Sequence, residues 1–279
     1  MKKLITLAIS GLTLIACSNQ TQTQSQSQTE EKSAEVTEKA TPTESFKVQK
    51  FTATKTIDGN NVKCVGTCEI DFPVSGDTQL VKSVKEYIYS YCNSPYKENQ
   101  DGQAFADEVA NISAQGLDGE GMEEDAEFSS TTKLTKQFEN DAYVTYSALS
   151  SEYTGGVHGN YGISGATFDK TTGKKITNYL KNDGWDNIQD QVAKALCKYF
   201  MVNEIEDLKD QLDNFDYDPA TKKFKIEQSS TEPFIDNDTL IFLYQPYEIA
   251  CYAAGAPEVK IALKDIKAQL SDETSKFVK

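Results

Sequence analysis

The stretch Tyr153-Thr154-Gly155-Gly156-Val157-His158-Gly159-Asn160-Tyr161-Gly162 holds the only histidine of the chain and four of its 16 glycines. Runs with strand character flank it. Tyr143 to Tyr153 leads in, with Tyr143, Thr145 and Ser147 alternating against Val144, Tyr146 and Ala148; Ile163 to Phe168 leads out. Asn140-Asp141 reads as the hairpin turn joining the first run to a Thr-rich strand, Phe128 to Phe138. Thr171-Thr172-Gly173-Lys174 reads as the turn that follows the second.

Upstream, apolar character begins at Phe46. Phe46 to Phe51 and Val62 to Val74 read as strands around a turn at Asp58-Gly59-Asn60-Asn61. Asp77 stands where a helix cap belongs, and Val81, Val84, Ile88 and Tyr91 follow at helical spacing, predicting a helix over about 78–93 that ends at Asn93-Ser94-Pro95. Phe105, Val109 and Ile112 predict a second helix closed by Gly116, followed by an exposed acidic loop over 117–125. Downstream, Ile188, Val192, Leu196 and Tyr199 predict an amphipathic helix over Trp185 to Phe200. Ile205 to Leu212 reads as a short helix, and Phe224 to Glu227, Leu240 to Tyr244 and Val259 to Leu263 as strands, before a closing helix to Leu270.

The N-terminus reads as a processing signal. Lys2 and Lys3 precede an apolar run from Leu4 to Ile15, too short for a membrane span. The run ends in Leu14-Ile15-Ala16-Cys17, which resembles a bacterial lipobox, so residues 1–16 are expected to be removed and Cys17 lipidated. Residues 17–45 are then a polar tether rich in Gln, Thr, Ser, Glu and Lys, without the apolar surface that would offset the entropy of ordering. The expected location is an extracytoplasmic face of the cell membrane or outer membrane, reached through the lipid.

The formal net charge is −15, and all 28 basic residues are lysine. Without arginine the chain lacks the planar fork that clamps phosphates and base edges, and with this charge nucleic acid is not expected as a partner. An acidic surface attracts basic ones.

The segment Tyr153 to Gly159, the turn from Thr167-Phe168-Asp169 to Gly173-Lys174, and Tyr244-Gln245-Pro246-Tyr247-Glu248-Ile249-Ala250-Cys251-Tyr252-Ala253-Ala254-Gly255 occur in the order found in the RsiV-like extracytoplasmic domain family. The chain resembles that family over about residues 46–270. The resemblance implies an α+β fold, with helices packed on mainly antiparallel sheets, in two tightly associated modules, 46–160 and 161–272. It also implies a binding role, with lysozyme as the ligand in the anti-sigma branch. The chain departs from that branch by having a lipobox where a transmembrane span is expected, and Cys251 where proline is frequent.

The residues expected to meet a ligand are Tyr153, Gly155, Gly156, His158, Tyr161, Pro246, Tyr247, Tyr252 and Gly255. Tyrosines give such a surface apolar bodies and polar tips. A catalytic His158 would need an orienting acid and a nucleophile, and no motif supplies them. One histidine also cannot furnish two metal ligands. Asn214, Asp216 and Asp218 have calcium-loop spacing, but Pro219 stands where glycine is required and Lys225 where the closing glutamate belongs. No cofactor is therefore expected. Among the cysteines, Cys64 with Cys68 and Cys92 with Cys197 are the candidate disulfides, the former only if Val65-Gly66-Thr67 turns back on itself. The leading expectation is a lipid-anchored envelope binding protein, for a lysozyme-like enzyme or cell-wall glycan. The alternatives are an envelope hydrolase using His158 and a structural envelope lipoprotein.

Overall fold

The computed structural model describes residues 45–58, 62–117 and 126–278. The leader, Cys17, most of the tether, the turn at Gly59–Asn61 and the acidic loop after Leu117 lie outside the described residues.

Two strands, β1 (Lys47–Asp58) and β2 (Val62–Ser75), pair antiparallel. Two helices follow, α1 (Thr78–Tyr91) and α2 (Gly102–Gln115). Asp77 caps α1, its Oδ1 accepting from the Leu80 N–H at 3.0 Å. Asp101 caps α2 in the same way through Gln103 and Ala104. Three strands complete the first half: β3 (Ala126–Glu139), β4 (Tyr143–Tyr153) and β5 (Asn160–Asp169). A two-residue strand, β6 (Lys174–Lys175), ends a six-stranded sheet of order β1-β2-β3-β4-β5-β6. All neighbours are antiparallel except β2 and β3, which run parallel because the α1–α2 connection crosses over between them.

The expected division at 160/161 thus falls inside this sheet. β5 pairs with β4 from Asn160 to Asp169, so the first sheet runs on to Lys175.

Both helices pack on one face of the sheet, over Phe72, Leu134, Tyr146 and Phe168. The contact with α2 is close because of Gly66. A Cβ there would lie 2.1 Å from the Ala110 carbonyl oxygen and 2.5 Å from the Ala114 nitrogen. The buried side of α2 is accordingly Phe105, Ala106, Val109, Ala110 and Ala114, whereas Ile112, expected in the stripe, is 45% exposed. In α1 the buried stripe is Leu80, Val84 and Ile88, with Val81 and Tyr91 at its flank.

The second half opens with a 3-10 turn, Asp186–Ile188, leading into α3 (Gln189–Phe200), whose Val192 and Leu196 are fully buried. A small hairpin follows, β7 (Tyr217–Asp218) with β8 (Lys223–Phe224). A three-stranded antiparallel sheet contains β9 (Phe234–Asp236), β10 (Thr239–Leu243) and β11 (Glu258–Ala262). The chain closes through a 3-10 segment, Leu263–Gln269, and α4 (Asp272–Ser275). The second core joins Val192, Leu196, Leu240, Phe242, Val259 and Ile266. The fold is α+β with mainly antiparallel sheets. No helix among the described residues is long and apolar enough to cross a membrane.

The two halves clamp each other's backbone. Thr145 and Thr167, both fully buried on the face of the first sheet opposite the helices, bond Ile235 of β9: Thr145 Oγ1 donates to its carbonyl at 2.5 Å, and its N–H donates to Thr167 Oγ1 at 2.8 Å. In return the Gln245 side-chain amide spans Ile163 of β5, accepting from its N–H at 2.9 Å and donating to its carbonyl at 2.7 Å.

The expected disulfides are not formed. Cys64 and Cys68 sit on one continuous strand, β2, where four residues span about 13 Å, beyond bridging reach. Cys92 packs on the first core and Cys197 in the second, each with a free thiol.

Candidate functional site

The glycine stretch is the connection from β4 to β5. Gly155 and Gly156 have φ of +92° and +86°, conformations that favour glycine, and they turn the chain around the exposed tip at Val157. Gly159 packs against β4, where a Cβ would stand 2.6 Å from the Glu152 carbonyl oxygen.

The second segment begins with a turn. Glu248 N–H donates to the Gln245 carbonyl at 3.0 Å, so Pro246 and Tyr247 are its central residues. Proline suits the first central position. Tyr247, in the second, has φ +69°, where glycine would be at ease and a tyrosine is strained. Its side chain is 60% exposed. A Tyr247→Gly variant is therefore expected to unfold at a slightly higher denaturant concentration, stabilised by up to about 1 kcal/mol, while losing whatever the ring contributes to binding.

Between these segments the aromatic rings gather. His158 stacks on Tyr252 with centroids 3.8 Å apart and planes 14° from parallel. Tyr247 lies 5.4 Å from Tyr252 and Tyr161 6.1 Å from it, centroid to centroid. The imidazole is oriented from both sides. Its Nδ1 is 2.9 Å from the Gly159 carbonyl oxygen, which can only accept, so Nδ1 carries the hydrogen. Nε2 is left to accept from the Tyr247 hydroxyl at 3.4 Å. The Tyr252 hydroxyl donates to the same Gly159 carbonyl at 2.6 Å. Among the described residues no carboxylate pairs with His158, and no cluster of His, Cys, Asp and Glu could hold a metal ion.

Gly255, φ +75°, lets the end of the second segment pass beneath two hydroxyls; a Cβ there would stand 3.3 Å from that of Tyr199 and 3.4 Å from that of Tyr161. Tyr199 donates to the Ala254 carbonyl at 2.7 Å. Burial, with Tyr252 beside Tyr161 and Tyr161 beside Tyr199, raises both pKa values, so these hydroxyls stay protonated at neutral pH.

Of the residues singled out in the sequence, His158, Tyr161, Tyr247, Tyr252 and Gly255 come together here, with Pro246 in the turn that presents Tyr247. Tyr153 and Gly156 lie at the loop's other end, joined by a bond from the Tyr153 hydroxyl to the Gly156 carbonyl at 3.1 Å. Gly155 faces Phe128. Tyr244, which opens the second segment, is fully buried and donates to the Glu227 carbonyl at 2.7 Å. Two residues of the site had no sequence signal of their own: Tyr199, which reads as part of a helix stripe, and Gln245, whose partner is 82 residues away. Asp218 of the calcium-like spacing turns back on its own loop, accepting from the Ala220 N–H and the Thr221 hydroxyl.

A DUF3298 domain, a family described as of unknown function, spans residues 174–264. The DUF3298 domain therefore carries Tyr199, Gln245, Tyr247, Tyr252 and Gly255, while His158 and Tyr161 precede it. The fold is similar to the crystal structure of a DUF3298 family member from Bacteroides fragilis NCTC 9343, with TM-score 0.61 and 19% identity over 81% of this chain and 94% of that one. It is also similar to a DUF3298 family protein from Pseudomonas aeruginosa PAO1, with TM-score 0.54 and 15% identity over 82% and 95%. No curated protein matches the chain.

Proposed function

We propose that this chain is a lipid-anchored binding protein of the cell envelope, of the RsiV-like kind, that grips its ligand through the aromatic cluster at His158. The single observation that carries this reading is the open stack of His158 on Tyr252, flanked by the exposed Tyr247. Large rings that expose apolar area at little conformational cost are what binding sites concentrate. The imidazole nitrogens are already engaged by a carbonyl and a phenol, which suits presentation of a fixed surface. The lipobox at Cys17 and the polar tether support the location, and the acidic charge favours encounter with a basic partner such as lysozyme.

The test compares the wild-type chain with Tyr252→Ala for co-sedimentation with purified cell-wall sacculi and for binding to lysozyme at low salt. Wild type is expected to bind one of them, and Tyr252→Ala to weaken that binding by about tenfold or more, the scale of an interface anchor. Equal binding by both proteins, or none by either, removes this cluster as the site.

A further inference from the structure

The face of the first sheet turned away from α1 and α2 is partly uncovered. Its inner strands near β5 meet the second half of the molecule, through Ile235 and Phe234. Among the described residues, the helices that pack on the sheet towards β1 all lie on the other side. One row of residues crosses this open face in strict register: Thr54 on β1 opposite Thr67 on β2, Thr67 opposite Thr131 on β3, Thr131 opposite Ser151 on β4, and Ser151 opposite Tyr161 on β5. Directly opposed residues share a face, so four hydroxyls and one aromatic ring line up across five strands. Thr54 is exposed, and Thr67, Thr131 and Ser151 are half-buried. Among the described residues none of these four hydroxyls bonds another protein group. The row runs straight into the ligand site, since Tyr161 packs edge-on against Tyr252.

The charge of this face is also distinctive. The chain as a whole is strongly acidic, yet the charges nearest the row are paired, Lys133 with Glu69 at 3.7 Å and, farther out, Lys63 with Glu127 at 2.7 Å, while Lys50 stands opposite Asp71 and, among the described residues, Asp58 is the one charge left over on this face. A neutral, hydroxyl-lined strip leading from a platform of aromatic rings suits a partner that is itself uncharged, hydroxylated and extended. It does not suit a basic protein patch, which would gain from unpaired carboxylates.

We infer that the ligand is a linear, uncharged polysaccharide chain. Its sugar faces stack on the cluster at Tyr252 and Tyr247, and its continuation lies along the row from Tyr161 to Thr54, a span of roughly 19 Å at strand spacings of about 4.8 Å. The inference rests on the binding role proposed above and narrows it to one ligand class. The row supplies donors and acceptors, the rings supply apolar stacking, and several sugar units are engaged at once.

The test uses the full chain and calorimetric titration with the dimer and the hexamer of β-1,4-linked N-acetylglucosamine. The hexamer is expected to bind about tenfold tighter than the dimer. Thr131→Lys combined with Thr67→Lys, which fills the row with bulk and charge, should bring the hexamer down to the affinity of the dimer and leave the dimer unchanged. Unchanged thermal melting of the variant verifies its fold. Tyr252→Ala should weaken both sugars. Equal affinity of dimer and hexamer, or indifference of the hexamer to the double substitution, overturns the extended path. Failure of both sugars to bind, while another ligand still depends on Tyr252, overturns the polysaccharide class and leaves the binding site standing. Absence of any Tyr252-dependent ligand defeats the binding role itself.

Discussion

Gly66→Ala will cost about 3 kcal/mol or more, lowering the melting temperature by roughly 10 °C. The added methyl meets backbone, not a pliable side-chain end: the Ala110 carbonyl oxygen at 2.1 Å, the Ala114 nitrogen at 2.5 Å and Ser113 Cβ at 3.0 Å. Relief requires the whole of α2 to lift from β2, which would loosen Phe105, Ala106 and Val109 from a core where each is almost fully buried. Interiors packed at crystal-like density do not absorb such a shift. The measurement is a denaturant melt. The midpoint should fall with the slope preserved, as for a change in stability alone. A loss below about 1 kcal/mol would mean that α2 does not rest on β2 as described.

Asp169→Ala will cost about 2–3 kcal/mol at neutral pH, and the deficit will shrink in acid. Asp169 is 3% exposed at the end of β5. Its Oδ2 accepts from Lys276 Nζ at 2.6 Å and from the Thr172 hydroxyl at 3.0 Å, while Oδ1 accepts from the Thr171 N–H at 2.8 Å. Burial pushes its pKa up, but Lys276, Thr171 and Thr172 together outweigh that and hold it below the ordinary value. A carboxyl lowered on folding stabilises above its unfolded pKa and loses that contribution as pH falls through the folded one. Wild type and variant should therefore differ fully near pH 7, and the gap should narrow as pH falls below about 4 towards the lowered folded pKa. A constant difference across that range would show that the ionised carboxylate is not what ties the C-terminal segment to the sheet.

Local signals carried much of the fold into the sequence. Asp77 and the spacing of Val84 and Ile88 announce α1, and Asn140 announces the β3–β4 hairpin, accepting from the Ala142 and Tyr143 N–H groups at 2.8 and 2.9 Å. Distance hid the rest. The parallel pairing of β2 with β3 spans two helices. Ile112 points outward because a glycine 46 residues earlier draws a different side of α2 inward. For the candidate site, both contributing segments stood out by composition, yet their meeting depends on Gln245 finding Ile163 and on Tyr161 finding Tyr252. Neither pairing leaves a trace in local spacing. Cysteine counting erred for the same reason: it cannot tell that Cys92 and Cys197 belong to different cores.

The amide of Gln245 fills, on the outer margin of β5, the slot that another strand would take. One consequence reaches beyond stability. Because that single side chain rivets the Pro246–Tyr247 corner to the rim of the neighbouring sheet, the surface proposed to meet a ligand is held in place beforehand, and on that proposal docking need not first arrest a swinging loop. The same bonds satisfy a bare margin that could otherwise pair edge to edge with a stray strand.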